Sequence, residues 1–280
     1  MADNTPSSTP PRKGTPMDKT KVLDHLAADA DSRMSLARLL DQLELCRRRD
    51  IPTHSHFLSD GEQALAVQAI AAAGEIRWTL EGGFAAASRK VCRFLPDWME
   101  TPDEPPLAAV EVKLPREGEG AKKLSHRDFL GSLMGLGITR DLLGDILVGE
   151  DTAQVVCLAS ALPILLEQWR EVGRYSASPK EIPLSRLTPA EEMVQRRTET
   201  FQSLRFDAVA ASAFRIPRSK AAALISGGRL LLNHLPCTKP DRLLQEGDSL
   251  NGKGLGKCKL TKVNGLSRKG RILVEMERYV

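Results

Sequence analysis

The sequence predicts an α+β protein made of two or three small domains. The chain has 280 residues, and its 41% hydrophobic and 27% charged residues are typical of a globular protein. Segments with apolar residues at helical spacing alternate with short apolar runs that are typical of strands. We therefore expect five parts in chain order: a disordered tail at 1–20, a mainly helical subdomain at 21–105, a ferredoxin-like domain at 106–184, a linker at 185–200 and a small α+β domain at 201–280.

The first hundred residues carry mainly helix signals after a polar tail. Residues 1–20 are rich in Pro, Ser and Thr, a composition that predicts disorder. Apolar residues between Met34 and Leu45 recur at helical spacing. A second helix begins at Ser59, which forms a capping-box pattern with Glu62, and ends at Gly74. The segment "IRWTLEGG" adds one strand.

The middle of the chain has a readable order of elements. "LAAVEVKL" predicts a strand, "SHRDFLGSLMGLG" a helix, "GDILVGE" and "TAQVVCLA" two strands, "ALPILLEQWREVG" a helix and "YSASPKEIPL" an extended piece. This β-α-β-β-α-β order predicts a ferredoxin-like sheet with helices on one face. RNA-recognition modules share the order but stack bases on strand aromatics, and "TAQVVCLA" has none, so we expect no base stacking here. The charged stretch 190–200 predicts a helical linker.

Charge is distributed unevenly along the chain. Residues 201–280 contain 15 Lys and Arg against 6 Asp and Glu, a net charge of +9, whereas the other 200 residues carry 25 and 30, a net of −5. Such asymmetry points to a polyanionic partner for the C-terminal part. The alternative is a solvated basic face without a partner.

Several classes of protein are disfavoured by what the sequence lacks. Five scattered cysteines without a C-x-x-C pair indicate reduced thiols in the cytoplasm rather than a disulfide frame or a zinc site. No apolar run approaches the roughly 18 residues of a membrane span, and the first residues lack a secretory signal. His54 and His56 have no third ligand at metal-binding spacing, so a surface loop without a metal is expected.

Catalytic motifs are also missing. "HRD" at 126–128 suggests a kinase catalytic loop, but such a loop needs an Asn five residues after the Asp. That position is occupied by Leu133. The motif is better explained as a helix start with Asp128 favoured by the dipole. No P-loop or G-x-S-x-G occurs, and "GKGLGK" at 252–257 is a basic loop rather than a dinucleotide motif. We therefore expect a binding protein without a cofactor and not an enzyme.

The stretch "FRIPRSKAAALISGGRLLLN", residues 214–233, predicts an anion site. Pro217 is expected at the first helical position. Arg218 and Lys220 would then lie in the first turn, where cations oppose the helix dipole, an arrangement that makes sense if a phosphate binds there. A Gly-Gly pair ends the helix and a strand follows. The residues expected to be buried are Ala221, Ala222, Leu224 and Ile225.

These residues resemble a known RNA-binding module. "LRFD", "RSKA", "LISGG", "LLN" and "EGD", in that order over residues 201–260, resemble the domain of small-subunit ribosomal protein S4, also called the αL motif. Upstream, "HFLSDGEQ", "GGFAAASRK", "LSHRDFLGSLMGLGITRDLLGDILV" and "EVGRYSASPKEIP" resemble the YlmH-type proteins, relatives of the photosystem-II S4-domain proteins. The resemblance implies an RNA-recognition-like middle domain, an S4 domain and ribosome-linked RNA binding without known catalysis.

The resemblance also implies an RNA-binding set of eight residues: Arg205, Arg218, Ser219, Lys220, Arg229, Asn233, Lys253 and Lys257. The family commonly has Arg at the last two positions, and Lys replaces bidentate phosphate contacts with point charges. It has Ser in place of Pro217, and an acidic residue in place of Ser88.

Three functions are weighed on this basis. The first is a non-catalytic cytoplasmic protein that docks on structured rRNA or tRNA, with the large ribosomal subunit carrying stalled peptidyl-tRNA as the implied partner. The second is an RNA-modifying enzyme of the pseudouridine-synthase kind, targeted by the S4 domain. The third is a cell-division or photosynthesis scaffold in which RNA binding is incidental.

Overall fold

A computed structural model describes residues 18–100, 104–114, 124–190, 194–267 and 270–279. The chain divides into two compact units, Met1–Thr188 and Pro189–Val280, here called the N-terminal and C-terminal units. Both contain helices and strands, so the predicted α+β class is confirmed. The predicted tail at 1–20 lies outside the described residues, except that a helix already includes Lys19 and Thr20.

The N-terminal unit begins with three helices and a three-stranded antiparallel sheet of order β1-β3-β2. Its elements are α1 (Lys19–Leu26), α2 (Ala30–Arg49), β1 (Thr53–Leu58), α3 (Asp60–Ala73), β2 (Arg77–Glu81) and β3 (Lys90–Leu95). The prediction of a mainly helical subdomain is therefore incomplete. The surface loop expected around His54 and His56 is wrong, because both lie in β1, where Ser55 faces inward and its hydroxyl accepts from the Cys92 N–H at 2.9 Å.

The rest of this unit forms the β-α-β-β-α-β domain that the sequence predicts. Its four main strands are all antiparallel in the order β5-β6-β4-β9, with a small hairpin of β7 and β8 beside them. The elements are β4 (Leu107–Lys113), α4 (His126–Gly135), β5 (Leu143–Val148), β6 (Thr152–Leu158), α5 (Leu162–Gln168), β7 (Glu171–Val172), β8 (Tyr175–Ser176) and β9 (Lys180–Ile182). The "HRD" motif begins α4, and Asp128 completes a capping box with Ser125.

Both faces of this four-stranded sheet are buried. Phe129 and Trp169, both fully buried, belong to the cluster on one face. On the other face Val156 packs against Phe57 of β1 and Val91 of β3. The predicted subdomains 21–105 and 106–184 therefore share a core within one unit. The face on which RNA-recognition modules stack bases is covered, which agrees with the lack of aromatic residues there.

Arg89 ties the two sheets together through hydrogen bonds. Its guanidinium donates to the carbonyls of Phe57, Arg140 and Leu143 at 3.0, 3.1 and 2.8 Å. The backbone N–H groups of Ser88 and Arg89 donate to the carboxylate of Asp145 at 2.6 and 3.2 Å. Ser88, where the family commonly has an acidic residue, and Arg89 therefore have a structural role.

Gly144 permits the close approach between these sheets. A Cβ atom at this position would lie 2.8 Å from the Phe57 ring and 3.0 Å from Val156. Gly144→Ala is therefore expected to lower the free energy of unfolding by about 1–3 kcal/mol through overpacking, measured by chemical denaturation. Gly131→Ala is the control, because Gly131 lies inside α4 with nothing within 4 Å of the added atom. It should leave stability unchanged or raise it, and equal losses in both variants would refute the packing argument.

The C-terminal unit pairs two helices with a six-stranded antiparallel sheet of order β10-β15-β14-β13-β11-β12. Its elements are β10 (Val194–Phe201), α6 (Phe206–Phe214), α7 (Arg218–Ser226), β11 (Leu230–Leu232), β12 (Leu235–Pro236), β13 (Ser249–Gly252), β14 (Gly256–Leu266) and β15 (Ile272–Tyr279). The helices and the inner sheet face enclose one core, which includes Phe206, Ile225 and Leu260.

The helical linker predicted at 190–200 is wrong for the part from Val194 onward. That part is strand β10, which pairs along its whole length with β15, from Val194 opposite Tyr279 to Phe201 opposite Ile272. It is an exposed edge strand with three charged residues, and charge composition alone does not distinguish such a strand from a solvated helix. The S4-type unit therefore begins before residue 201.

Candidate nucleic-acid interface

Helices α6 and α7 form a tight pair that positions the first basic residues. Helix α6 ends at Phe214, and Arg215 caps it in the left-handed conformation, with φ of 53°. Pro217 is the N-cap of α7 and not its first helical residue, which corrects the sequence prediction. Ala221 and Ile225 are fully buried, whereas Leu224 is only half-buried.

Asp207 accepts hydrogen bonds from two of the predicted RNA-binding arginines. Its side chain is buried at the start of α6. Arg205 donates from Nε and Nη2 to the two carboxylate oxygens, both at 3.2 Å. Arg218 reaches across from α7 and donates from Nη2 to the same two oxygens at 3.0 and 3.1 Å. The carboxylate thus fixes both guanidinium groups beside the helix starts.

The electrostatics of this cluster favour the charged forms. Burial raises the pKa of Asp207, but the hydrogen bonds and charges of Arg205 and Arg218 outweigh it, so the pKa lies below its ordinary value. The hydrogen bond to Asp207 raises the pKa of Arg205 in turn. A buried carboxylate with two cations is therefore ionised at neutral pH, and the cluster carries a net positive charge.

The anion site predicted at the start of α7 needs one correction. Arg218 is not an isolated cation opposing the helix dipole, because Asp207 neutralises part of its charge. Its side chain is nevertheless 57% exposed, and that of Arg205 is 38% exposed, so both remain accessible to a ligand. Ser219 and Lys220 are exposed in the same turn.

A second basic group lies at the other end of α7. Gly227 caps the helix, Gly228 follows with φ of 65°, and the exposed Arg229 leads into β11. Leu230 pairs with Gly252, which places Arg229 next to the β13–β14 turn that carries the exposed Lys253. At about 1.5 Å rise per residue, the nine residues of α7 separate the two groups by about 13 Å.

Lys257 and Asn233 have structural contacts of their own. The Lys257 ammonium lies 5.1 Å from the centre of the Tyr279 ring, a cation–π contact. Asn233 adopts a positive φ in the β11–β12 turn. Its side chain donates to Asp248 at 2.7 Å and accepts from the Ser249 N–H at 2.8 Å. The structure thus explains Asn233 by the turn it builds, and its place in the RNA-binding set stays a prediction.

Sequence reasoning missed four residues of this surface. Asp207 was recognised in the "LRFD" motif but not as the partner of two arginines, although its position two residues after Arg205 was a usable signal. Exposed Arg215 sits between the helices. Arg242 and Lys239 lie on the loop whose carbonyls at Arg242 and Pro240 accept the first N–H groups of α6. No sequence signal linked that loop to the helix start.

Two other properties of the described residues bear on function. Among them, no three His, Cys, Asp or Glu side chains come together in a way that could hold a metal ion. The helices of this part of the chain are all too short or too polar to cross a bilayer.

Comparison with known proteins identifies both domains. The family described as "Putative RNA-binding domain in YlmH" matches residues 106–186, and the S4 domain family matches residues 204–250. A Bacillus subtilis (strain 168) protein named ribosome-associated protein quality control protein P2 is 29% identical over 248 residues, which are 89% of this chain and 95% of that protein. The solved structure of the cell division protein ylmH from Streptococcus pneumoniae is 22% identical with a TM-score of 0.45, and covers 56% of this chain and 94% of that chain.

The chain is thus an RNA-binding protein with an S4 domain at its C-terminal end. The domain matched at residues 106–186 is a second putative RNA-binding domain, which distinguishes this chain from proteins with an S4 domain alone. The chain carries the putative RNA-binding domain of YlmH followed by an S4 domain, and the resemblance to the YlmH-type proteins seen in its sequence motifs is confirmed.

Proposed function

We propose that this protein is a non-catalytic, cytoplasmic RNA-binding protein that docks on structured RNA of the ribosome. The observation that carries the proposal is the pair of basic groups at the two ends of α7, Arg205 with Arg218 and Arg229 with Lys253. The length of α7 between them, about 13 Å, is too great for a single small anion and suits two separate phosphates of one folded RNA.

The two groups would contribute differently to binding. Arg205 and Arg218 are held by Asp207 and offer planar, oriented donors to phosphate oxygens. Lys253, at a turn tip, offers a mobile point charge that neutralises phosphate without fixing its orientation. Such contacts position the domain, and the shape of the folded RNA supplies the selectivity.

The proposed partner is the large ribosomal subunit, including one that carries stalled peptidyl-tRNA. The Bacillus subtilis relative is named as a ribosome-associated quality control protein, and the match extends over 95% of its length. This supports a ribosomal partner for the chain, and the S4 fold supports RNA as the contacted surface.

An RNA-modifying enzyme is less well supported. A pseudouridine synthase requires a catalytic Asp, and the acid in the S4 motif, Asp207, is buried and engaged by two arginines. A scaffold role in cell division or photosynthesis would leave the ribosome unbound. Sedimentation with ribosomes therefore separates the ribosome-binding function from the scaffold role.

Replacing Arg229 and Lys253 by Ala tests the proposal. Both are exposed, and neither forms an ion pair within the described residues, so the fold should be kept. The double variant is expected to lose about tenfold or more in affinity for large ribosomal subunits, measured by co-sedimentation at constant salt, because two phosphate contacts are lost. The matched control, Lys259→Ala with Lys262→Ala, removes the same charge from two exposed positions of strand β14. Equal losses in both variants, or none in either, would refute this site.

A further inference from the structure

A second RNA contact is suggested on the N-terminal unit, at the segment that follows β3. Trp98 in this segment is 60% exposed, whereas the next residue, Met99, is only 4% exposed. The Trp98 indole N–H donates to the carbonyl of Asp50 at 3.0 Å. The guanidinium of Arg77 donates to the Met99 carbonyl at 2.5 Å. The segment is thus fixed on both sides while a large aromatic face stays in solvent.

The end of α2 brings cations to the same place. Arg47, Arg48 and Arg49 form its last turn, and Asp50, whose carbonyl holds Trp98, is its cap. Arg47 is used structurally, since it donates to the carbonyls of Ala73 and Glu75. Arg48 and Arg49 are exposed, and the structure gives them no ion pair in its described part. The helix dipole accounts for cations here but not for the exposed ring beside them.

The chemistry of this surface favours one unpaired nucleotide over a protein partner. Ile51, at 45% exposure, is the neighbouring apolar side chain, and two side chains offer far less surface than the roughly 1,000 Å² that a stable protein interface buries in total. One face of an indole matches one base, and each stacked base contributes substantially to single-strand binding. Arginines beside the ring can take the flanking phosphate. Asp97 and Glu100 flank Trp98 in the chain. Their negative charges repel phosphates and disfavour contacts with more than one nucleotide along this segment.

We propose that Trp98 stacks on an unpaired base of the bound RNA, with Arg48 and Arg49 on its phosphates. The proposal rests on the RNA-binding function proposed above and adds a contact that the S4 domain does not make. Duplex regions would be held by the C-terminal unit and a single-stranded nucleotide by Trp98. The full protein would then prefer RNA that combines a helix with an unpaired stretch.

Fluorescence of the full chain gives a direct test. The chain has three tryptophans, and the other two are half-buried Trp78 and fully buried Trp169. The emission lost in Trp98→Phe therefore reports Trp98. Addition of a short oligoadenylate should quench that emission, and a blunt RNA duplex should not. Equal quenching by both, or by neither, would overturn the proposal.

Binding constants of three variants complete the experiment. Trp98→Ala should weaken oligoadenylate binding about tenfold and leave duplex binding unchanged, because one base stack is lost. Trp98→Phe keeps an aromatic face and should stay within about threefold of the parent protein. The Arg229→Ala, Lys253→Ala variant should show the reverse pattern, with weaker duplex binding and unchanged oligoadenylate binding.

The outcomes separate the two proposals. If Trp98→Ala binds oligoadenylate as tightly as the parent protein while the Arg229→Ala, Lys253→Ala variant loses duplex binding, the second contact is refuted and the S4 function stands. If the Arg229 and Lys253 variant binds duplex normally while Trp98→Ala loses oligoadenylate, the S4 surface is wrong and the Trp98 site stands. Loss of ribosome sedimentation in Trp98→Ala without any change in oligoadenylate binding would indicate a protein contact and overturn the stacking proposal.

Discussion

The isolated C-terminal unit, residues 189–280, is expected to bind structured RNA by itself and to lose roughly 200-fold in affinity when salt rises about fourfold. Binding through about five phosphate contacts releases a similar number of counterions, which gives a log–log slope near −4. The net charge of +9 in residues 201–280 supplies the cations. Filter binding of a labelled rRNA fragment over a salt series measures the slope.

The choice of fragment decides whether this experiment is meaningful. Strand β10, Val194–Phe201, pairs with β15 and belongs to the sheet of this unit. A fragment starting at residue 201 would leave the edge of β15 unpaired and prone to aggregation. The N-terminal unit, residues 18–188, is the control and should bind duplex RNA weakly at every salt concentration. A flat salt response of the C-terminal unit would remove the phosphate-contact argument.

Elements with local signals could be predicted from the sequence. The β-α-β-β-α-β order was readable because α4 has a capping box, α5 has Pro163 in its first turn and each main strand is a short apolar run. Strand β10 was missed because its partner β15 lies about eighty residues downstream, and a charged edge strand has no apolar alternation. Strand β1 was missed for the related reason that its first four residues are polar and its partner β3 lies about 30–40 residues downstream.

The candidate site was predictable by residue type but not by arrangement. The cations were visible as a charge excess and a family motif. That Arg218 shares Asp207 with Arg205 depends on the packing of α6 against α7 and on the burial of the acid. That Arg229 meets Lys253 depends on the register of β11 with β13. Long-range pairing of this kind leaves no local pattern in the sequence.

Replacing Arg205 and Arg218 together by Ala is expected to destabilise the C-terminal unit by about 2–3 kcal/mol. The reason is the carboxylate of Asp207, which would remain buried without a cationic partner. Each single variant should lose less than half as much, because one arginine still satisfies both oxygens. Chemical denaturation of the isolated unit measures these differences.

Adding Asp207→Asn to the double variant is the decisive control. A neutral amide does not carry the cost of a buried charge, so the triple variant should recover part of the lost stability. The pH dependence has a definite sign. Because the folded pKa of Asp207 is lowered, its stabilising pairing is complete above the unfolded pKa near 4 and is lost as pH falls through the folded pKa. The difference in the free energy of unfolding between the parent unit and the double variant should therefore narrow below about pH 4. A gap that stays constant from neutral to acidic pH, with no recovery in the triple variant, would mean that the arginines stabilise the fold by packing and not through Asp207.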